Sequence, residues 1–194
     1  VVAEKKFITC LNPELQDQEA AQGRSLQRLL EFNQPSCPPL ERTPNTGQNL
    51  SLYAIVHPEE PDLADFLAHL PQWLGEVVLL WDAAQLPDAA RALDAACPAP
   101  VRHAARPLQG DFAAQRNFAL SLCASAWVLS LDADERLHPQ AWEAVRAELG
   151  APRAAAYLLP RLTLYPDARH FRMGYGLWPD PQLRLFQRAE SLRY

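Results

Sequence analysis

A chain of 194 residues can hold one substantial hydrophobic core, or one core with a short appendage, but not two domains of ordinary size. Hydrophobic residues make up 48% and charged residues 21%, so apolar burial can hold the fold without metals or disulfides. Lysine and arginine number 18 against 23 acidic residues, and the net charge of −5 excludes a protein built to ride on nucleic-acid phosphates.

Residues 1–49 read as a helical appendage and a proline-rich linker. A polar helix is predicted from Asn12 to Phe32, with Asn12 as its cap and Pro13 in its first turn. Only its last part, Leu26, Leu29, Leu30 and Phe32, carries an apolar face, and Pro35, Pro38, Pro39 and Pro44 follow. From residue 50 onward strand-like and helix-like segments alternate, the mark of an α/β domain with an open, largely parallel sheet flanked by helices.

The first strand is Leu52 to Val56, and Leu63, Phe66, Leu67, Leu70 and Leu74 then recur at helical spacing until Pro71 ends or kinks the helix. Val77 to Trp81 is the second strand and ends at Asp82; Pro87 to Ala96 is alanine-rich and predicted helical; Val101 to Ala104 is a short strand. Asp111 caps a helix to about Cys123, and Ala126 to Leu131 is a strand that ends in Asp132-Ala133-Asp134-Glu135. Pro139 opens a helix carrying Trp142, Val145 and Leu149 and closed by Gly150, and two later strands are expected at Tyr157 to Leu164 and Leu183 to Phe186. The longest apolar run, Val77 to Trp81, is far short of the roughly 20 residues of a membrane-spanning helix. Four cysteines without a CxxC pair point to a reducing, cytoplasmic setting and away from thiolate metal sites.

In open α/β sheets ligands sit beyond the carboxyl ends of the strands. Three strand ends deliver acids here: His57-Pro58-Glu59-Glu60 after the first, Asp82 after the second, and Asp132 with Asp134 after the fourth. Two carboxylates one residue apart at the end of a buried strand repel each other and are costly to desolvate together. A divalent cation such as Mn2+ or Mg2+, which takes oxygen ligands from one or two carboxylates and from substrate phosphates, makes the arrangement sensible. His103, His138 and His170 have no acid at ligand spacing and read as surface or turn histidines.

Three blocks then carry a resemblance. Asp111-Phe-Ala-Ala-Gln-Arg-Asn-Phe-Ala-Leu120, the run Trp127-Val-Leu-Ser-Leu-Asp-Ala-Asp-Glu135, and Trp178-Pro-Asp-Pro-Gln-Leu-Arg-Leu-Phe186 occur in an order and spacing that resemble family-2 glycosyltransferases of GT-A fold. The resemblance is notably to bacterial members that build lipopolysaccharide cores and related glycans. The resemblance covers roughly residues 50–190, so residues 50–194 are expected to form a GT-A-like domain cut short at its C-terminus.

The resemblance implies metal-dependent, inverting transfer of a sugar from a nucleotide-diphosphate donor to a saccharide or lipid-linked glycan acceptor. It places Glu59 or Glu60 beside the nucleotide base, Asp82 on base or ribose, Arg116 and Asn117 near the donor, Asp132 on ribose or metal, and Asp134 as principal metal ligand. Relatives carry a catalytic base beyond the Arg-Leu-Phe strand. In this chain Asp180 is the late carboxylate inside a matched block and the candidate for that role. Tyr165, Phe171, Tyr175 and Trp178 cluster near the expected acceptor side, where sugar stacking and core packing account for aromatics equally well. A cytoplasmic location at the inner face of the membrane follows by the same analogy.

Two rival readings stand beside it. A phosphatase-like hydrolase would use the first Asp of the pair as nucleophile, but that pattern expects Thr or Val where Arg136 stands. A catalytically inactive GT-A-like domain would bind a nucleotide or a partner without turnover.

Overall fold

The computed structural model describes residues 6–8, 50–165, 170–172, 178, 180–189 and 194. The helix expected over Asn12 to Phe32 and the linker after it lie outside the described residues, as does Tyr175.

Among the described residues eight strands form one sheet in the order β4-β3-β2-β5-β8-β7-β1-β6. They are β1 (Lys6–Ile8), β2 (Leu50–Val56), β3 (Glu76–Trp81), β4 (Val101–Ala105), β5 (Trp127–Ser130), β6 (Glu135–Leu137), β7 (Ala156–Thr163) and β8 (Asp180–Gln187). The half made of β4, β3, β2 and β5 is parallel throughout. Beyond it β8 and β7 pair antiparallel, β1 runs antiparallel to β7, and β6 runs parallel to β1. The sheet is therefore mixed, and its parallel half carries the strand ends singled out in the sequence.

Strand alternation explains the two-sided core. Leu52, Ala54, Val56, Val77, Leu79 and Trp81 face one side, where α1 (Leu63–Ala68), a 3-10 segment (Ala90–Ala96) and α3 (Pro139–Gly150) lie. Tyr53, Val78, Leu80, Val128 and Phe186 face the other, under Ala119, Leu120 and Cys123 at the end of α2 (Phe112–Leu122). Parallel strands buried on both faces are continuous apolar runs, which is how β2 and β3 read.

Helix boundaries follow local chemistry. Asp111 caps α2 by accepting from Ala114 N–H at 2.8 Å. Replacing Asp111 with Ala should lower the unfolding free energy by about 1 kcal/mol, measured by urea denaturation; no change would mean that the cap is not formed in solution. Helix α1 stops at Ala68, since Leu70 precedes Pro71 and is pushed out of the helical region. The helix expected over Pro87 to Ala96 is instead a 3-10 segment, in which Ala90 is buried and Leu93 and Ala96 pack only partly against the core, too little apolar surface to hold a longer helix on the sheet.

Three further differences have physical reasons. Strand β8 begins at Asp180 rather than Leu183, because Pro181 sits opposite Pro160 in register and the strand tolerates both. Strand β6 has only three residues and pairs along its whole length with β1, which comes from the stretch expected to be appendage. His103, expected at the surface, has its side chain covered within β4, where its Nε2 donates to Asp94 at 2.7 Å and its Nδ1 accepts from Trp81 Nε1 at 3.0 Å.

Candidate functional site

Because β3, β2 and β5 are neighbours, the acids at their carboxyl ends converge. A cleft of about 420 Å³ opens there, lined by Ile55, His57, Glu60, Asp82, Leu108, Phe112, Arg116, Asp132, Ala133 and Asp134. Of the residues singled out from the sequence, Glu60, Asp82, Arg116, Asp132 and Asp134 share this cleft. Among the described lining residues, four carboxylates thus meet a single arginine.

The wall opposite β5 is set by the turn before α2. Gln109 and Gly110 have φ of 52° and 78°, left-handed backbone that glycine adopts without strain. This turn presents Leu108 N–H to Asp82 Oδ1 at 2.7 Å and delivers Asp111 as the cap. Phe112 and Arg116, one helical turn apart, then line the cleft from the same face of α2.

Three expected residues lie elsewhere. Glu59 is exposed, with its N–H donating to His57 Nδ1 at 3.2 Å, and does not line the cleft. Asn117 is also outside the lining, and its Oδ1 accepts from Tyr194 N–H at 2.9 Å. Tyr194 stacks against the Arg116 guanidinium and shares a hydrogen bond with the buried Tyr53 hydroxyl at 2.8 Å. Asp180 begins β8, where its Oδ2 accepts from Arg161 Nε at 2.7 Å and its Oδ1 accepts from Gln182 Nε2 at 2.6 Å. Asp180 thus lies outside the cleft lining, paired with Arg161 and Gln182.

Sequence reasoning passed over the residues that hold the acidic turn. Glu135 is fully buried; its Oε2 accepts the Asp132 N–H at 3.1 Å, and its own N–H donates to Asp132 O at 2.9 Å. Burial and the nearby Asp132 push the Glu135 carboxyl above the usual carboxylate range, against the pull of Arg184. Arg184 Nη2 contacts both Glu135 Oε1 and Asp132 Oδ2, the latter at 3.1 Å. Arg136 grips the turn from the other side: its Nη1 donates to Ala133 O at 2.8 Å and Glu135 O at 2.9 Å, the carbonyls that flank Asp134. The available signals were a charged residue in the apolar strand Leu183-Arg-Leu-Phe and two charges directly after the acid pair.

The donor set fits a hard divalent cation in one particular way. Among the described residues no three His, Cys, Asp or Glu side chains are grouped to hold a metal by themselves. Asp132 and Asp134 supply two carboxylates in an acidic cleft, which suits a Mg2+-type ion whose remaining ligands are water and substrate oxygens. Among the described residues no helix is long and apolar enough to cross a membrane.

The fold is α/β with a cleft at the carboxyl ends of its parallel strands, the place where open sheets of this kind take ligands. Residues 51–192 match glycosyl transferase family 2, and the chain belongs to that family. A TPR repeat-containing protein of Synechococcus elongatus is 32% identical over 112 residues, which are 58% of this chain; the chain spans only 27% of that relative's length. Among solved structures, S. aureus TarS (residues 1–349) is 18% identical over 56% of this chain and 34% of its own, with a TM-score of 0.44. The mannosyltransferase PcManGT of Pyrobaculum calidifontis, solved with GDP-Man and Mn2+, is 18% identical over 73% of this chain and 44% of its own, also with a TM-score of 0.44.

Proposed function

We propose that this cleft binds the nucleotide-diphosphate part of a sugar donor and that the domain transfers the sugar, with inversion, to an acceptor hydroxyl. The observation that carries this is the cleft itself: Glu60, Asp82, Asp132 and Asp134 beside Arg116, in a chain of glycosyl transferase family 2. So many carboxylates would repel a diphosphate unless a cation came with it. Asp134 and Asp132 would hold Mn2+ or Mg2+, which supplies Lewis-acid neutralisation of the charge that develops on the departing diphosphate.

The chain's own residues account for the rest of the binding. Asp82 keeps one carboxylate oxygen on Leu108 N–H and offers the other to a base or ribose donor. Arg116, steadied by the Tyr194 ring, adds the positive charge that a diphosphate meets on the α2 wall. Leu108 and Phe112 give that wall an apolar surface beside Asp82. The acceptor class, a saccharide or lipid-linked glycan of the lipopolysaccharide type, rests on the sequence resemblance to core-building enzymes.

Calorimetric titration of UDP and GDP with Mn2+, repeated in EDTA, tests the reading. Binding of one nucleotide that vanishes on chelation is expected. A folded protein that binds neither would remove the donor site and leave a family member that has lost it.

A further inference from the structure

The residue that fixes Asp132 lies outside all three strand ends. Arg184 sits in the middle of β8 with its side chain 5% exposed, and one guanidinium nitrogen reaches both Asp132 and Glu135. Glu135 in turn holds the Asp132 N–H and is reached by Arg161 Nη1 at 3.5 Å. Arg184 contacts only Oδ2 of Asp132, whose side chain is 43% exposed in the cleft it lines.

Stability does not explain this arrangement. Buried ion pairs replaced by apolar groups of similar size commonly leave a fold as stable or more so. The pair here carries an added defect, because the buried Arg184 Nε has no hydrogen-bond partner among the described residues. A chain that needed only a filled space between β8 and the acidic turn would do as well with methionine and glutamine. What the pair does supply is a fixed position for one oxygen of Asp132, with the other left for a ligand, and orientation of a liganding carboxylate by its neighbours strengthens metal binding.

We propose that Arg184, anchored by Glu135, is the positioning residue that presets the Asp132 carboxylate for the cation and donor. This rests on the donor-site reading above. Glu135 therefore acts through Arg184 and the Asp132 backbone, not as a ligand, and the Arg161–Asp180 pair of β7 and β8 backs Glu135 through Arg161.

The test is the double variant Glu135→Gln with Arg184→Met in the full chain, which removes one charge of each sign and so leaves the net charge of the turn unchanged. Thermal unfolding at or above the wild-type temperature is expected, with the Mn2+-dependent affinity for UDP or GDP lowered about tenfold or more. Wild-type affinity in the folded double variant would overturn the proposal. Glu135→Gln alone, which is isosteric and still accepts the Asp132 N–H, decides the matter if the double variant does not fold: a several-fold loss of affinity supports it, and none overturns it. If the wild-type chain binds neither nucleotide, the donor-site reading falls first and this proposal with it.

Discussion

Replacing Asp134 with Ala should abolish metal-dependent nucleotide binding while the protein still folds. Asp134 lies in the turn between β5 and β6, only partly buried, so removing its carboxylate leaves both core clusters untouched. Small effects on stability are expected for a turn side chain outside the core, within about 0.5 kcal/mol. The effect on binding is of another order. With Asp132 shared by Arg184, the loss of Asp134 leaves one committed carboxylate for a cation that needs several oxygens. Calorimetry with Mn2+ and nucleotide should show affinity reduced on the order of 100-fold, down to that seen in EDTA. Undiminished binding in a folded Asp134→Ala protein would take the cation away from this turn.

The parallel half of the sheet was legible because its strands are continuous apolar runs, and β2, β3 and β5 lead into acids. Asp82 and the Asp132–Asp134 pair could be placed at one crevice once β3, β2 and β5 were neighbours. The antiparallel half was harder to read. Its strands carry Pro160 and Pro181, residues that mark breaks in most contexts, and β1 and β6 are three residues each.

Within the site, the differences from expectation arise from which face a residue occupies. Arg116 and Asn117 were grouped as neighbours in sequence, yet adjacent helix positions point about 100° apart, and of the two Arg116 lines the cleft. The turn after β2 separates Glu59 from Glu60 in the same manner. Glu135 and Arg184 were invisible for another reason. Their contact spans 49 residues, and a charge inside a strand or after an acid pair looks like a solvated residue until the strands are paired. Asp180, the late acid in a matched block, holds Arg161, a partner no spacing rule reveals.

Replacing Arg136 with Met should cost the fold more than any other single change in the turn, and should loosen the site as well. The Arg136 side chain is 7% exposed and lies against the Phe66 ring, 5.3 Å from guanidinium to centroid. Besides the carbonyls of Ala133 and Glu135, it donates to Asp62 O at 3.1 Å and to the Asp65 carboxylate through Nε and Nη2. It thereby ties the start of α1 to both sides of Asp134. Methionine fills much of the space but takes this donor from the carbonyls of Ala133 and Glu135, while Asp62 O keeps its bond from Phe66 N–H, and a buried acceptor that loses its donor costs more than a hydrogen bond is worth. Asp65 is 50% exposed, so its ion pair is screened and adds little. The expected loss is about 2–4 kcal/mol, read as a lower urea midpoint at unchanged slope. Asp65→Asn, which spares the carbonyl bonds, should cost less than about 1 kcal/mol. Nucleotide binding separates the two roles: in Arg136→Met it should weaken under conditions where the protein is still fully folded, because Asp134 has lost the clamp on its flanking peptides. Equal losses for the two variants would mean that the ion pair, and not the grip on the turn, is what Arg136 contributes. The phosphatase-like reading needs a small hydroxyl or apolar residue at this position, and a buried arginine with this many bonds argues directly against it.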